Sequence, residues 1–559
     1  MKPKNQDKLS RNEGIKTSSQ GLRGTLKESL VNNITGALYE DDQDLIKFHG
    51  IYGQDDRDRR SERAHKKLER LFSYMIRLRI PGGLISSATW LKIHETANQY
   101  STGIIKITTR QTIQLHGIIK SKLKPTIKSF DLAKLDSIAA CGDVNRNVIC
   151  TAHPSVSPVY PEIQKLADKI SLLLLPKTRA YYEIWLDQEP LLEKSEEDPL
   201  YQDHYLPRKF KIAIAIPPSN DVDVFANDIG IIAVIEKDEI KGFNLSVGGG
   251  LGTTHGNDQT YPRLGTDIGF VSGEENLMKV IYQIVTIQRD FGNRSDRKLS
   301  RFKYTLDKMG LEAFKRELEE RTHIVLENSR PYHFQSREDD YGWKKDHLGF
   351  WHYTIFIENG RILDRENYTL KNALFQIAKT YPVQFRFTAN QHLIIGDIKE
   401  ADKTFIQSIL FENGVNQFND QSSPLRKNSM ACVAFNTCPL ALAEGQRYLP
   451  DLITRLDNIL EKYKLGNEKI SIRMTGCPNG CARPYLAEIG LIGTAYGKYN
   501  MHLGGSHLGT RLNTLYKENL EEKEILEILD QFMGLYSKFR LKNESFGDYW
   551  NRTQTLQLN

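Results

Sequence analysis

The chain has 559 residues, 39% hydrophobic and 26% charged, with 76 basic and 70 acidic residues and a formal net charge of +6. Such values suit a globular protein of roughly three to four domains and exclude a largely disordered one. A mean hydropathy of −0.48 and apolar runs no denser than Leu172–Leu175 exclude a membrane span, and the small positive excess suits a small anion or an acidic protein partner without arguing for nucleic acid.

Residues 1–61 are polar, end in DDRDRR, and carry no apolar core of a secretory signal, so an extended arm and a cytoplasmic location are expected. A strand is predicted at FSYMIRLRI, closed by Pro81-Gly82-Gly83, then a helix through Trp90 to Tyr100 and a strand across GIIKITTRQTIQLHGII. The same order returns at HYTIFIENGRIL and VQFRFTANQHLIIG, where Ala389-Asn390-Gln391 aligns with Thr109-Arg110-Gln111. Strand, glycine turn, helix and strand twice over argue for an internal duplication. Between the copies lie further strands and helices, with LLEKSEEDPL as a solvated loop. A helix is expected from about Leu449 to Lys464, and an amphipathic helix over Tyr516 to Phe539. The class is α+β.

Six cysteines are too few for a disulfide framework. Cys141 and Cys150 stand apart and read as buried thiols. Cys432 and Cys438 form a C-x5-C pair, and Cys477 and Cys481 a C-x3-C pair. Four thiolates can hold zinc or an iron–sulfur cluster, or be plain buried thiols. Zinc favours tighter pairs. A proline directly after a ligand cysteine, as at Cys438-Pro439 and Cys477-Pro478, is familiar in iron–sulfur proteins.

Cations recur at strand spacing. Arg110, Thr112, Gln114 and His116 would share one face of a strand, Lys209 and Lys211 another, and Arg77 and Arg79 a third. Arg146 sits between two asparagines. One such stripe is ordinarily a solvated sheet face; several together point to a shared anion pocket. The glycine-rich VGGGLGTTHG and GTAYGKYN lack the spacing of nucleotide-binding loops. No site for NADPH or flavin is visible, so redox work would need electrons from a partner.

The segments TGCPNGCARPYLAEIGLIG, NSMACVAFNTCPLALAE, TTRQTIQLHG, NRNV, YLPRKFKIAIAIPP and DFGNRSDRK resemble the siroheme sulfite and nitrite reductases, assimilatory sulfite reductase hemoproteins above all, over residues 15–548. The resemblance implies duplicated ferredoxin-like half-domains with pseudo-two-fold symmetry (62–128 and 337–405) plus two α/β siroheme- and cluster-binding domains (129–336 and 406–559). It implies a 4Fe–4S cluster on Cys432, Cys438, Cys477 and Cys481, with Cys481 bridging to siroheme. Arg110, Gln114, His116, Arg294, Arg297, Lys298 and Arg301 would hold the siroheme periphery, and Arg77, Arg146, Lys209 and Lys211 would bind sulfite. Ala482 departs from the glycine many relatives carry. Siroheme nitrite reductases generally place asparagine at Lys211, which favours sulfite here. The implied partner is an FMN/FAD flavoprotein subunit that oxidises NADPH, or ferredoxin. A non-catalytic iron–sulfur carrier would have no use for the converging cations.

Overall fold

The structure is a computed structural model that describes residues 8–188 and 197–557. Strands Ile105–Ile107 and Ile113–Ile118 form an antiparallel hairpin, and Gln384–Phe387 and Leu393–Ile398 form its copy. The run read as one long strand is therefore a hairpin. Residues 109–112 make its turn, so Arg110 and Thr112 do not share a strand face with Gln114 and His116. Gln111 takes a left-handed φ of 51°, and its side-chain amide bonds both the N–H and the carbonyl of Cys150 at 2.9 and 2.7 Å. The turn thus docks onto the next domain.

Each hairpin is built into a five-stranded sheet whose fifth strand comes from the other copy. The first sheet runs Ile51–Asp55, Phe72–Arg77, Ile113–Ile118, Ile105–Ile107 and Arg361–Ile362; the second runs Gly342–Lys345, Trp351–Ile355, Leu393–Ile398, Gln384–Phe387 and Leu84–Ser86. The exchanged strands Leu84–Ser86 and Arg361–Ile362 directly follow Gly83 and Gly360. A Cβ at Gly83 would meet the Phe387 carbonyl at 2.7 Å, and one at Gly360 the Ile107 carbonyl at 2.6 Å, with φ at 76° and 67°. Only glycine lets the chain cross that closely. Helix Ser87–Tyr100, capped by the Ser86 hydroxyl accepting from the Thr89 N–H at 3.2 Å, buries Trp90, Ile93 and Ala97 on one side.

The other two five-stranded sheets are copies as well. Ile149–Cys150, Ile212–Ala215 and Ile229–Glu236 run parallel, and Glu239–Val247 and Thr266–Val271 continue antiparallel. Ser429–Ala431, Ile472–Thr475 and Ile489–Ala495 run parallel, and Lys498–Leu503 and Thr514–Leu520 continue antiparallel. Ile212 sits opposite Ile229 and Ile472 opposite Ile489, so the loops joining these strands have equal length. Register then equates Thr151 with Cys432, Pro217 with Cys477, Asp221 with Cys481 and Asp223 with Arg483.

Three further readings change. Residues 1–61 are not an extended arm: helices Arg11–Ser18 and Leu26–Val31 and strand Ile51–Asp55 pack on the first copy, with Leu22, Leu26, Ile46 and Ile51 at most 1% exposed. Enough scattered apolar residues bury there to overcome the polar composition. Lys209 and Lys211 precede strand Ile212–Ala215 instead of lying in it. The helix expected from Tyr516 is a strand to Leu520 followed by helix Glu522–Phe539, which Glu521 and Glu524 close with a capping box. The expected helix near Leu449 spans Leu449–Lys462. Most of LLEKSEEDPL lies outside the described residues.

The two α/β units meet on one carboxylate. Asp223, 1% exposed, accepts from Arg473 Nη1 at 2.6 Å and lies 3.1 Å from Arg483 and 3.6 Å from Arg337. Burial pushes its carboxyl up, but the three guanidinium groups outweigh that and hold it at about 2. Asp223→Asn is expected to cost about 3–5 kcal/mol, because it strands buried guanidinium charges; urea unfolding of parent and variant measures this. With its folded pKa depressed, Asp223 stabilises the fold above the unfolded value near ~4 and loses that contribution as pH falls toward about 2. The difference between parent and variant should therefore shrink on acidification.

Candidate functional site

Cys432 directly follows Ser429–Ala431 and Cys477 follows Ile472–Thr475 after Gly476, so both thiols leave the carboxyl ends of adjacent parallel strands. That is where open α/β sheets place ligands. The Gly476 N–H donates to Cys432 Sγ at 3.3 Å, and Asn479 Nδ2 to Cys477 Sγ at 3.5 Å. Arg57 Nη1 donates to the Cys438 and Ala441 carbonyls at 3.0 and 2.5 Å and lies over the Phe435 ring, fixing the Cys438 loop. The Thr109 hydroxyl, on the first hairpin turn, donates to the Cys481 carbonyl at 3.0 Å. Burial, reinforced by neighbouring Cys481, pushes the Cys432 thiol well up and the Cys438 thiol to about 12. Cys481 thus opposes the ionisation of Cys432, Cys438 and Cys477, and such a group of thiols wants a shared cation. Among the described residues, no three His, Cys, Asp or Glu side chains are grouped to hold a single metal ion. A four-iron cluster asks for something else, one thiolate on each iron, and the donor set fits it.

A cleft opens beside Cys481, lined by Arg110, Lys211, Asn227, Arg301, Asn479 and Arg483 among others. The glycine run at 248–250, which has no nucleotide-loop spacing, permits this close approach: a Cβ at Gly249 would meet the Phe225 and Asn227 carbonyls at 2.1 and 2.5 Å. Thr253 then bonds the Pro478 carbonyl through its N–H at 3.0 Å.

Arg110, Lys211, Arg301 and Arg483 reach this cleft from several elements. Arg110 donates to Asn227 Oδ1 at 2.6 Å and to the Ile212 carbonyl at 2.9 Å; burial among Arg483, Arg146 and Arg301 draws its pKa down to about 9. Arg77 donates to Cys141 Sγ at 3.3 Å and to Gln114 Oε1 at 3.0 Å. Arg146 is pinned by the Gly142 and Ala140 carbonyls at 2.8 and 3.3 Å through Nε and Nη1, which leaves one arm of its fork for a ligand. Lys209 and Lys211 have no ion-pair partner among the described residues. Burial, with Arg208 and Arg301 nearby, draws Lys209 down to about 7; burial beside Lys209 and Arg301 draws Lys211 well below the ordinary lysine value. Arg301 is held by Asp228 at 3.0 and 3.1 Å.

Other expected residues go elsewhere. Arg294 bonds Glu13 and the Tyr205 and Arg289 carbonyls, and Arg297 bonds Asp143 at 2.6 and 2.9 Å. Together with Lys16 they tie helix Arg11–Ser18 to the fold. Lys298 is exposed. His116 is buried neutral, its pKa drawn to about 3 by burial beside Lys106 and Arg77, with Nδ1 on Gln54 at 2.9 Å. Sequence reasoning missed Arg483, Asn479, Asn227 and Arg57. Arg483 was detectable, because it lies inside the GCARP motif; Asn227 is brought in only by tertiary contact.

Several buried donor atoms in and near this cleft make no hydrogen bond among the described residues: Nε of Arg110, Arg301 and Arg483 in its lining, and Nε of Arg77. Buried donors are normally satisfied. Asp228 holds Arg301 and Asp223 holds Arg483, which leaves Arg110 and Lys211 of the lining without a carboxylate among the described residues; that excess of positive charge fits a tetrapyrrole rich in carboxylates.

Fold and site define an iron–sulfur redox protein with an anion pocket. Family models match as the nitrite and sulphite reductase 4Fe–4S domain over residues 166–326 and as the nitrite/sulfite reductase ferredoxin-like half domain over 65–132 and 344–410. The sulfite reductase (NADPH) hemoprotein beta-component of Leptospira biflexa is 61% identical, covering 98% of both chains. That of Staphylococcus carnosus is 52% identical over 97% of this chain and 95% of its own, and that of Bacillus pumilus 50% over 96% and 94%. The structure of NirA from Mycobacterium tuberculosis shares the fold at a TM-score of 0.77 and 23% identity, covering 97% of this chain and 96% of its own. This chain belongs to the siroheme nitrite and sulfite reductase family.

Cys432→Ala and Cys438→Ala are expected to abolish bound iron and acid-labile sulfide while leaving far-ultraviolet circular dichroism unchanged. Cys150→Ala should retain both. Iron and sulfide analysis of the purified variants decides this.

Proposed function

We propose that the chain reduces sulfite to sulfide with six electrons, as the hemoprotein component of an NADPH-type assimilatory sulfite reductase serving cysteine biosynthesis. The observation that carries this reading is the meeting of the Cys481 loop with a cleft lined by cations, of which Arg110 and Lys211 have no carboxylate partner among the described residues. When bound, a siroheme and a 4Fe–4S cluster supply the electron transfer. Cys432, Cys438, Cys477 and Cys481 would hold the cluster, with Cys481 at the cleft shared with the siroheme. Arg110, Arg301 and Arg483 would meet its carboxylates.

The chain's own residues bind the anion and move protons. Sulfite is a dianion, and the free arm of Arg146, Arg77 and the ammonium groups of Lys209 and Lys211 offer charge-assisted donors. Three oxygens leave as water, and each departure consumes two protons. A lysine lowered to about 7 exchanges a proton readily at neutral pH, which suits Nζ of Lys209 to donate and be reloaded. Cations already in place need no reorganisation as the charge on the substrate changes.

No nucleotide- or flavin-binding loop is visible in the sequence, so electrons are read as coming from an FMN/FAD flavoprotein that oxidises NADPH, with ferredoxin as the other donor class. The relatives' names support the first. All six cysteines are free thiols, which supports the cytoplasmic reading. Among the described residues no helix is long and apolar enough to cross a membrane. Nitrite reduction is the second reading on this scaffold, and Lys211 weighs against it.

Lys211→Asn is expected to shift the ratio of kcat/KM for sulfite over nitrite toward nitrite about tenfold, since a charge-assisted contact is worth about 1.5–3 kcal/mol and the dianion loses more of it. An unchanged ratio would remove Lys211 from the substrate site. Arg146→Ala should lower dye-driven sulfite reduction by about 10²-fold, by analogy with loss of one oxyanion donor, with siroheme and iron content retained. Heme-free protein would make Arg146 a cofactor-holding residue instead.

A further inference from the structure

Lys106 lies in strand Ile105–Ile107 and is 3% exposed. Strand register sets it beside Gln114 on one side and Arg361 on the other, and Gln114 beside Arg77. Arg77, Gln114, Lys106 and Arg361 therefore make a row across four strands. Arg77, at one end of the row, lies within electrostatic reach of Cys481, and Lys106 within reach of Cys432.

The Lys106 ammonium donates to the Asn359 carbonyl, and among the described residues it has no carboxylate partner. The titratable groups facing it are Cys432, Arg361 and the neutral His116. Burial, with Arg361 adding to it and Cys432 opposing it, draws the Lys106 pKa down to about 7, so a nearby anion is what keeps this ammonium charged. Asn359 also fixes the distance to the cysteine loop: its Oδ1 accepts from the Ala431 N–H at 2.9 Å, its Nδ2 donates to the Gln446 carbonyl at 3.2 Å, and the Gln446 N–H donates to the Cys432 carbonyl at 3.0 Å.

The duplication supplies an internal control. Arg386 occupies the equivalent place in the second sheet, paired with Ile394 and Leu84 as Lys106 is with Gln114 and Arg361. Arg386 has its own carboxylate, Asp397, at 2.9 Å. The copy that faces the cysteine loops is the one that lacks it. We propose that Lys106 is the fixed counter-cation of the iron–sulfur cluster, held on the Cys432 side to favour its reduced, more negative form. The missing carboxylate is then supplied by the cluster and its thiolates, and one that sat there permanently would oppose each arriving electron. This inference rests on the reading that the four cysteines hold a 4Fe–4S cluster.

The test is a redox titration of the holoenzyme followed by electron paramagnetic resonance of the cluster, on the parent, Lys106→Met, Lys106→Arg and, as a control, Arg386→Met. Iron and sulfide content is measured on each. Lys106→Met is expected to weaken cluster reduction at least tenfold, a shift of 59 mV to more negative potential for a one-electron couple, with the cluster intact. Lys106→Arg should stay within about threefold of the parent, and Arg386→Met should not move the potential. An unchanged potential in loaded Lys106→Met overturns the proposal, as does an equal shift in Arg386→Met. Should Lys106→Met fail to load, a loaded Lys106→Arg with parental potential supports the role of charge. Failure of both to load, or a shift in Lys106→Arg as large as that in Lys106→Met, shows that Lys106 acts by shape and overturns it. A parent protein without cluster iron would instead bring down the cysteine reading itself, a separate failure.

Discussion

Asp223 carries three buried arginines at once, and the positions of both α/β units follow from it. Arg473 and Arg483 come from the cysteine-bearing unit, and Arg337 from the segment leading into the second ferredoxin-like copy. Arg337 also donates to the Leu486 carbonyl and to Ser471 Oγ, and Arg483 to the Ala389 carbonyl and Asn390 Oδ1. A carboxylate this dry is tolerable only with cations around it, and the cations are tolerable only with the carboxylate. Asp223 and Arg483 occupy equivalent places in the two copies, both with left-handed φ, 46° and 57°, directly before a short 3-10 turn. The pairing thus lies close to the pseudo-two-fold relation and locks the copies face to face.

Pairing also divides the cations of the fold into two sets. Arg297 has Asp143, Arg79 has Asp136 and Arg386 has Asp397, each within hydrogen-bond distance. Lys209, Lys211 and Lys106 have no such partner among the described residues, and Arg77 and Arg110 spend their donors on neutral groups. Of this set Arg110 and Lys211 line the cleft, and Arg77, Lys106 and Lys209 lie within electrostatic reach of the cysteines. Burying that much charge without anions costs stability, and ligands that bring negative charge offset the cost. Function here is written as unsatisfied electrostatics.

The two copies have divided the work. The second holds the cysteines; at equivalent positions the first has Thr151, Pro217 and Asp221. The first holds Arg77, Arg110, Gln114 and Lys211; the second has Thr354, Asn390, Ile394 and Ser471 there. What survives in both is the scaffold: Lys211 N–H bonds Asp228 at 2.9 Å, and Ser471 N–H bonds Glu488 at 2.8 Å. Neither copy alone contains a site. The hairpin turn of one, through Thr109, reaches the cysteine loop of the other, and the exchanged strands keep the halves from parting.

The cysteine pairs, the internal duplication and the recurrence of cations were legible in the sequence, because each is a local pattern of spacing and residue type. The helices at Trp90 and Leu449 were legible for the same reason, since an apolar face repeats within a few residues. Sequence periodicity could not separate Arg110 from Gln114, because a turn inside an alternating run changes no spacing. Nor could it tell Arg294, Arg297 and Lys298 from Arg301: all are cations on one short segment, and only Glu13, Asp143 and Asp228, distant along the chain, decide which face the cleft. Polar composition hid the helical packing of residues 11–31, whose few apolar side chains find burial only against the first sheet. Local patterns determined which chemistries the chain carries. Long-range pairing of buried charge decided which of its many cations take part.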